Sequence, residues 1–247
     1  MAAPPRSRST RSAISSRALV PQDAATLILL RFDNGAPRVL MGRRCAGHAF
    51  MPDKYVFPGG RRDAADCRIA PAGALHPDVE EKLLVRMKGK AGPARARGLA
   101  MAAVRETFEE TGFILGRRME RARRSAHEGW RAFFAAGFAP DLTPLRYFAR
   151  AITPPGMNRR FDARFFLAEA SRLANPDRPL PPPTKELLDS RWLTLEETRR
   201  MELPRITRRI LALLEDGLAE GREALFSPRR PVSFQYRQGK SWRFETI

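Results

Sequence analysis

Glu106, Glu109 and Glu110 stand at i, i+3 and i+4 in a segment, Leu99 to Thr111, whose small and apolar residues recur with a helical period. A helix here projects all three carboxylates from one face. Its other face carries Leu99, Ala102, Ala103 and Thr107, a stripe that has to be buried, and Gly112 is placed to end it as a left-handed cap. Left alone the three carboxylates repel. Three oxygen ligands within a few ångströms are what hard divalent cations require, so a metal turns the repulsion into binding. Arg105 lies four residues before Glu109, a spacing that permits an ion pair holding one carboxylate in place.

The chain around this helix alternates strands and helices. Ala24 to Phe32 reads as a strand, turned by Asp33-Asn34-Gly35 into a second over Arg38 to Gly42. A short apolar segment, Lys54 to Phe57, runs into Pro58-Gly59-Gly60, where two glycines let the main chain approach a ligand closely. Residues 64–98 look inserted and contain one amphipathic helix, Asp78 to Lys88. Further helices are expected over Met119 to Ala136, Leu195 to Met201 and Pro204 to Leu218. Strands are expected over Tyr147 to Ile152, Phe161 to Leu167 and Ser190 to Leu193. Pro176 to Pro183 reads as a proline-rich loop. Val232 to Ile247 alternates as a β-hairpin whose four aromatics, Phe234, Tyr236, Trp242 and Phe244, need cover from the body of the chain or from a second copy in a homodimer. The expected organisation is a disordered basic tail over 1–22, favoured over a transit peptide, one domain over 23–230 with the insertion 64–98, and the hairpin 231–247.

Arg105-Glu106-Thr107-Phe108-Glu109-Glu110-Thr111-Gly112-Phe113 resembles the second half of the Nudix box, and Phe57-Pro58-Gly59-Gly60 is similar to the loop before it. Counted back from Arg105, Ala91 and Arg97 occupy the places of the usual box glycine and glutamate. The box is therefore split, as in the Nudix subgroup with a long insertion that includes coenzyme A diphosphatases, and its first glutamate is left unassigned; Glu80 and Glu81 lie in the insert without alignment. The resemblance implies an α/β/α sandwich, a mixed β-sheet between helices, carrying the inserted helical segment and the hairpin. It implies hydrolysis of a phosphoanhydride in a nucleoside diphosphate linked to another moiety, such as coenzyme A, ADP-ribose or NADH. Mg2+ or Mn2+ would be held by Glu106, Glu109, Glu110 and Gly60, with Glu109, Glu110 and Arg105 as catalytic residues. Glu186, on a later loop, is a further candidate for the proton acceptor or for substrate binding. Arg150, Arg159, Arg160 and Arg164 flank the Thr153-Pro154-Pro155-Gly156 turn and are candidates for substrate phosphate, weighed against plain surface arginines. The coenzyme A signature upstream of Phe57 is absent, since Ala49 and Asp53 replace its arginine and glycine. Two other readings stay open, a catalytically weak nucleotide sensor and an RNA-processing enzyme.

The formal net charge is +18, and all but six of the 45 basic residues are arginine. They are scattered, which disfavours a nucleic-acid stripe and leaves a nucleotide-type small molecule as the expected partner. No apolar run reaches the length of a membrane-spanning helix. Cys45 and Cys67 are too few for a disulfide framework and lack metal-ligand spacing, which fits a reducing, cytoplasmic setting. His48, His76 and His127 show no ligand spacing, and Trp130, Trp192 and Trp242 read as packing residues.

Overall fold

The structure, a computed structural model, describes residues 19–47, 51–183 and 187–247. Strand β1 (Gln22–Asp33) is its axis. From Ala24 to Leu30 it is almost wholly buried on both faces, as expected of a central strand with a continuous apolar run. β2 (Ala36–Arg44) returns antiparallel to it through Asn34 and Gly35, both at positive φ, the geometry of a tight hairpin turn. β3 (Tyr55–Val56) extends β2, and β4 (Gly59–Arg61) comes back to β1, pairing Thr26 with Gly59 and Ala25 with Gly60.

A 3-10 turn (Ala65–Cys67) and α1 (Pro77–Leu84) precede α2 (Pro93–Thr111). The carboxylate-bearing helix thus begins inside the segment expected as an insertion, with Pro93 in its first turn. Gly112 ends it at φ 71°, donating its N–H to the Phe108 carbonyl at 2.8 Å. Next come β5 (Gly116–Arg118), α3 (Glu128–Ala135) and β6 (Phe138–Pro140), the two strands pairing as a small separate sheet. The helix expected from Met119 is therefore limited to Glu128–Ala135, in the second half of that span. Residues 120–124 offer no apolar stripe to bury, and the stripe of Trp130, Phe133 and Phe134 starts only later.

β7 (Arg146–Ile152) and β8 (Phe161–Glu169) form an antiparallel pair, with β8 parallel to β1. β9 (Leu187–Thr194) covers the far side of β2 and leads into α4 (Leu195–Arg199), α5 (Arg205–Ala219) and α6 (Arg222–Leu225). The main sheet is mixed, ordered β11-β10-β7-β8-β1-β2-β3. Along β1, Ala25, Leu27 and Leu29 pack into a core shared with α2 and α3, while Ile28 and Leu30 pack into a second core shared with α5. These are the two helical layers of an α/β/α sandwich. Among the described residues no helix is long and apolar enough to cross a membrane.

The hairpin of β10 (Ser233–Gln238) and β11 (Ser241–Thr246) joins the sheet edge, β10 running parallel to β7. Its register shows how the aromatics of the two arms are disposed. Phe234 pairs with Glu245 and Tyr236 with Arg243, whereas Gln235 pairs with Phe244 and Arg237 with Trp242. Directly opposed residues share a face, so the aromatics of the two arms point to opposite sides. Phe234 is buried, and Trp242 and Phe244 stay 46% and 61% exposed.

Candidate active site

The last two turns of α2 lie over β4, and the first contact there is backbone. Gly59 donates its N–H to Glu110 Oε2 at 2.9 Å, a buried bond that holds this carboxylate against the loop. Gly59 sits at φ 153° and Gly60 lies directly under Glu106, where a Cβ would collide with the Glu106 carboxylate. The two glycines are needed for different reasons, one for its backbone angle and one for close approach.

Arg105 organises the rest. It is only 4% exposed. Its Nε and Nη2 bind the two oxygens of Asp66 at 2.8 and 3.0 Å, Nη2 also binds the Arg61 carbonyl at 3.1 Å, and Nη1 reaches Glu106 at 2.9 Å and Glu109 at 3.0 Å. All five guanidinium N–H groups are thereby used. Burial works against the charge, but Asp66, Glu106 and Glu109 outweigh it and hold Arg105 protonated well above its ordinary range.

Asp66 is fully buried and fully occupied. Besides Arg105 it accepts the Trp130 indole N–H at 2.9 Å and the Asp63 backbone N–H at 2.7 Å. Trp130, expected only to pack, is both a core residue and a donor here. Asp63 is held below the usual carboxylate range by the Ala65 N–H and, against its partial burial, by His127, Arg105 and Arg61 nearby. On the other side of Arg105, Gly129 at the start of α3 abuts Glu109, where a Cβ would overlap the carboxylate.

The expected ligands Glu106, Glu109, Glu110 and Gly60 are thus brought together. Glu106 is half-buried, Glu109 exposed and Glu110 buried. Among the described residues no group of three or more acidic, histidine or cysteine side chains is placed to hold a metal ion as it stands. The donor set is nonetheless oxygen alone, and the missing Cβ of Gly60 lets the Glu106 carboxylate lie close against the main chain of β4. That chemistry fits a hard divalent cation.

The expected phosphate arginines fare differently. Arg150 is 1% exposed, bound by Asp162 at 2.8 and 2.7 Å and by the carbonyls of Val85 and Arg86. Arg164 is fully buried, reaching Asp23 at 3.1 Å and the Asp162 carbonyl at 2.7 Å. Both are corrected from substrate contacts to members of an internal ion network, which Arg62 and Arg95 join through Asp23. Arg160 is half-buried and binds the carbonyls of Thr153 and Leu19, fixing the base of the β7–β8 turn. Glu186 lies outside the described residues, as do His48 and Ala49.

Missed in the sequence were Asp66, Asp63 and Gly129. Asp66 had a signal, because Gly60 to Asp66 spans the same six residues as Ala91 to Arg97, the places where glycine and an acid were sought. An acid thus stands at the sought spacing from Gly60, upstream of α1. Glu80 and Glu81 instead ride on α1, which packs near β7.

No family model matches the chain. A Nudix hydrolase from Alicyclobacillus acidocaldarius is similar at 28% identity and a TM-score of 0.59, over 79% of this chain and 92% of that one. This is the Nudix hydrolase fold. The likeness supports a Nudix-type pyrophosphatase. The Nudix domain of Shewanella oneidensis NrtR, a structure complexed with ADP ribose, is similar at 11% identity and a TM-score of 0.47, over 81% of this chain and 90% of that domain. At that distance it decides nothing about the substrate of this Nudix-fold chain.

Proposed function

We propose that this chain is a divalent-cation-dependent hydrolase of a phosphoanhydride bond in a nucleoside diphosphate linked to a second moiety, of the coenzyme A, ADP-ribose or NADH type. One observation carries the reading. Three carboxylates from a single helix face are gathered over a glycine pair, and a buried arginine bonds two of them while the loop backbone bonds the third. Mg2+ or Mn2+ bound there would neutralise charge on phosphate and lower the pKa of a bound water.

The chain's own residues do the positioning. Asp66 fixes the plane of Arg105, Arg105 fixes Glu106 and Glu109, and the Gly59 N–H fixes Glu110. Glu109, the most exposed of the three, is the proposed proton acceptor from the attacking water, with Glu110 or the loop residue Glu186 as alternatives. Phosphate contact falls to Arg159 and Arg160. Their turn shares a sheet end with the Gly59–Gly60 loop, since β1 pairs Gln22 with Phe161 on one side and Ala24 with Arg61 on the other.

Two free cysteines among the described residues fit a reducing, cytoplasmic setting. We also propose a homodimer through β11, one edge of the main sheet, where Trp242 and Phe244 are exposed. Two copies of β11 pairing antiparallel about Phe244 would place Arg243 of each opposite Glu245 of the other. The deciding experiment is a release assay with purified protein and Mg2+ or Mn2+ over coenzyme A, ADP-ribose, NADH and diadenosine polyphosphates. Metal-dependent cleavage of at least one supports the reading. Absence of cleavage across the panel, with tight binding of one member, favours the sensor instead.

A further inference from the structure

A cleft of about 660 Å3 opens along α3 on the side away from the carboxylates, and a smaller one of about 330 Å3 continues it. Successive helical residues turn by about 100°, so Gly129, which abuts Glu109, and Arg131, which lines the cleft, are about 200° apart. The helix separates the two places. Phe134 and Met119 supply apolar surface, and Arg68, Arg123, Arg124 and Arg131 rim the two clefts without an acidic residue in the lining. Arg123 is spent on the Ala70 carbonyl, tying this wall to the turn after Asp66. Arg68, Arg124 and Arg131 have no ion pair among the described residues, in contrast to the arginines of the internal network.

Like charges gathered beside a concave apolar surface repel unless an anion is there, and the volume lies in the range of small-molecule sites. We infer that this cleft is a second binding site, taking a small organic phosphate whose apolar body rests on Phe134 and Met119 and whose charge is met by Arg124 and Arg131. A groove that ends within two short clefts suits a compact ligand better than an extended polynucleotide, which calls for a basic stripe. The inference does not depend on the catalytic reading, since the helix stands between the two sites.

The test is a calorimetric titration of metal-free full-length protein with 1-naphthyl phosphate, inorganic phosphate and a short RNA oligonucleotide. Naphthyl phosphate is expected to saturate one site, more tightly than inorganic phosphate. Arg124→Gln with Arg131→Gln should weaken it at least about tenfold, at an unchanged melting temperature. Arg237→Gln with Lys240→Gln, equal in charge removed but on the hairpin, should bind like the parent. No saturable binding, or an equal loss in both double variants, overturns the site. So does RNA binding that depends on Arg124 and Arg131 while naphthyl phosphate binding does not.

Discussion

Asp66 and Arg105 meet through two parallel hydrogen bonds of 2.8 and 3.0 Å across a separation of 39 residues. The remaining bonds of Asp66 go to Trp130 on α3 and to the main chain of Asp63, so the guanidinium plane is set by three separate parts of the fold. That plane decides where Nη1 points, and Nη1 bonds both Glu106 and Glu109. The chain between Asp66 and α2 leaves and returns without disturbing either partner. Loop length adds only a slowly growing entropic cost to closure.

Asp66→Asn should therefore act on kcat more than on KM. The amide keeps the size but cannot accept both guanidinium bonds, so Arg105 loses its fixed plane while the expected phosphate contacts stay. A fall in kcat of about 10- to 100-fold is expected on whichever nucleotide the panel identifies, with Asp66→Glu recovering part of it. Asp66→Ala strands a buried charge and should cost about 3–5 kcal/mol of stability. Steady-state kinetics beside thermal melts check both; wild-type kcat in Asp66→Asn would remove Asp66 from the positioning role.

Glu109→Gln and Glu110→Gln keep size and relieve repulsion, so both should fold normally. Each should lower turnover by at least about 100-fold if the carboxylates bind metal or take the proton. Chelation of wild-type protein should abolish turnover, and added Mg2+ or Mn2+ should restore it in wild type but not in the variants. Near-normal rates in both variants at limiting metal would defeat the assignment.

The helix, its cap and the glycine loop were legible because their chemistry is local. Three glutamates at helical spacing, Gly112 at the end and paired glycines each act within a few residues of themselves. Asp66 acts through space, and its sequence distance from Arg105 hides it unless it is counted from Gly60. Arg150 and Arg164 were misread because alternation along β7 and β8 does not say which face is closed. α1 and the chain after it cover that face, and the carbonyls of Val85 and Arg86 bind Arg150 there. The helix expected from Met119 shows a complementary limit: good helix formers without a stripe to bury have no packing to hold them helical.

Asp23 should make the fold acid-sensitive. Its side chain is 6% exposed, and Arg62, Arg95 and Arg164 all bind it. Burial raises its pKa, but the Arg95 hydrogen bonds and the charges of Arg164 and Arg95 outweigh that and bring it below the ordinary 3.8. The unfolded chain then binds the proton more tightly than the folded one. Asp23 contributes its full stabilisation above about pH 3.8 and loses it as the pH falls through the lower folded value. Asp23→Asn should be less stable than wild type at neutral pH, and the gap should close on acidification below about pH 4. Melts of both proteins from about pH 7 to about pH 3 measure it; a constant gap would show that the network's worth to Asp23 is not electrostatic.

The two arms of the hairpin should respond to mutation in opposite ways. Phe234 is 3% exposed, stacked on Tyr236 with ring centroids 4.9 Å apart and covered by the Arg150 guanidinium at 4.5 Å. Phe234→Ala should cost about 3–5 kcal/mol, the usual range for a buried aromatic. Trp242 and Phe244 face the other way, stacked on each other with ring centroids 6.5 Å apart and with Arg209 over the Phe244 ring at 5.7 Å. Replacing both with Ser should leave the monomer's stability within about 0.5 kcal/mol, because little packing is lost. Their effect should appear in assembly instead. The parent is expected to run as a dimer on sizing with light scattering, and the double Ser variant as a monomer. Arg243→Glu should also dissociate it by placing like charges opposite one another, and Arg243→Glu with Glu245→Arg should restore it, because the exchanged pair is complementary again. A parent that is monomeric at every concentration tested rules out the β11 dimer. A parent dimer that survives all of these changes moves the interface elsewhere.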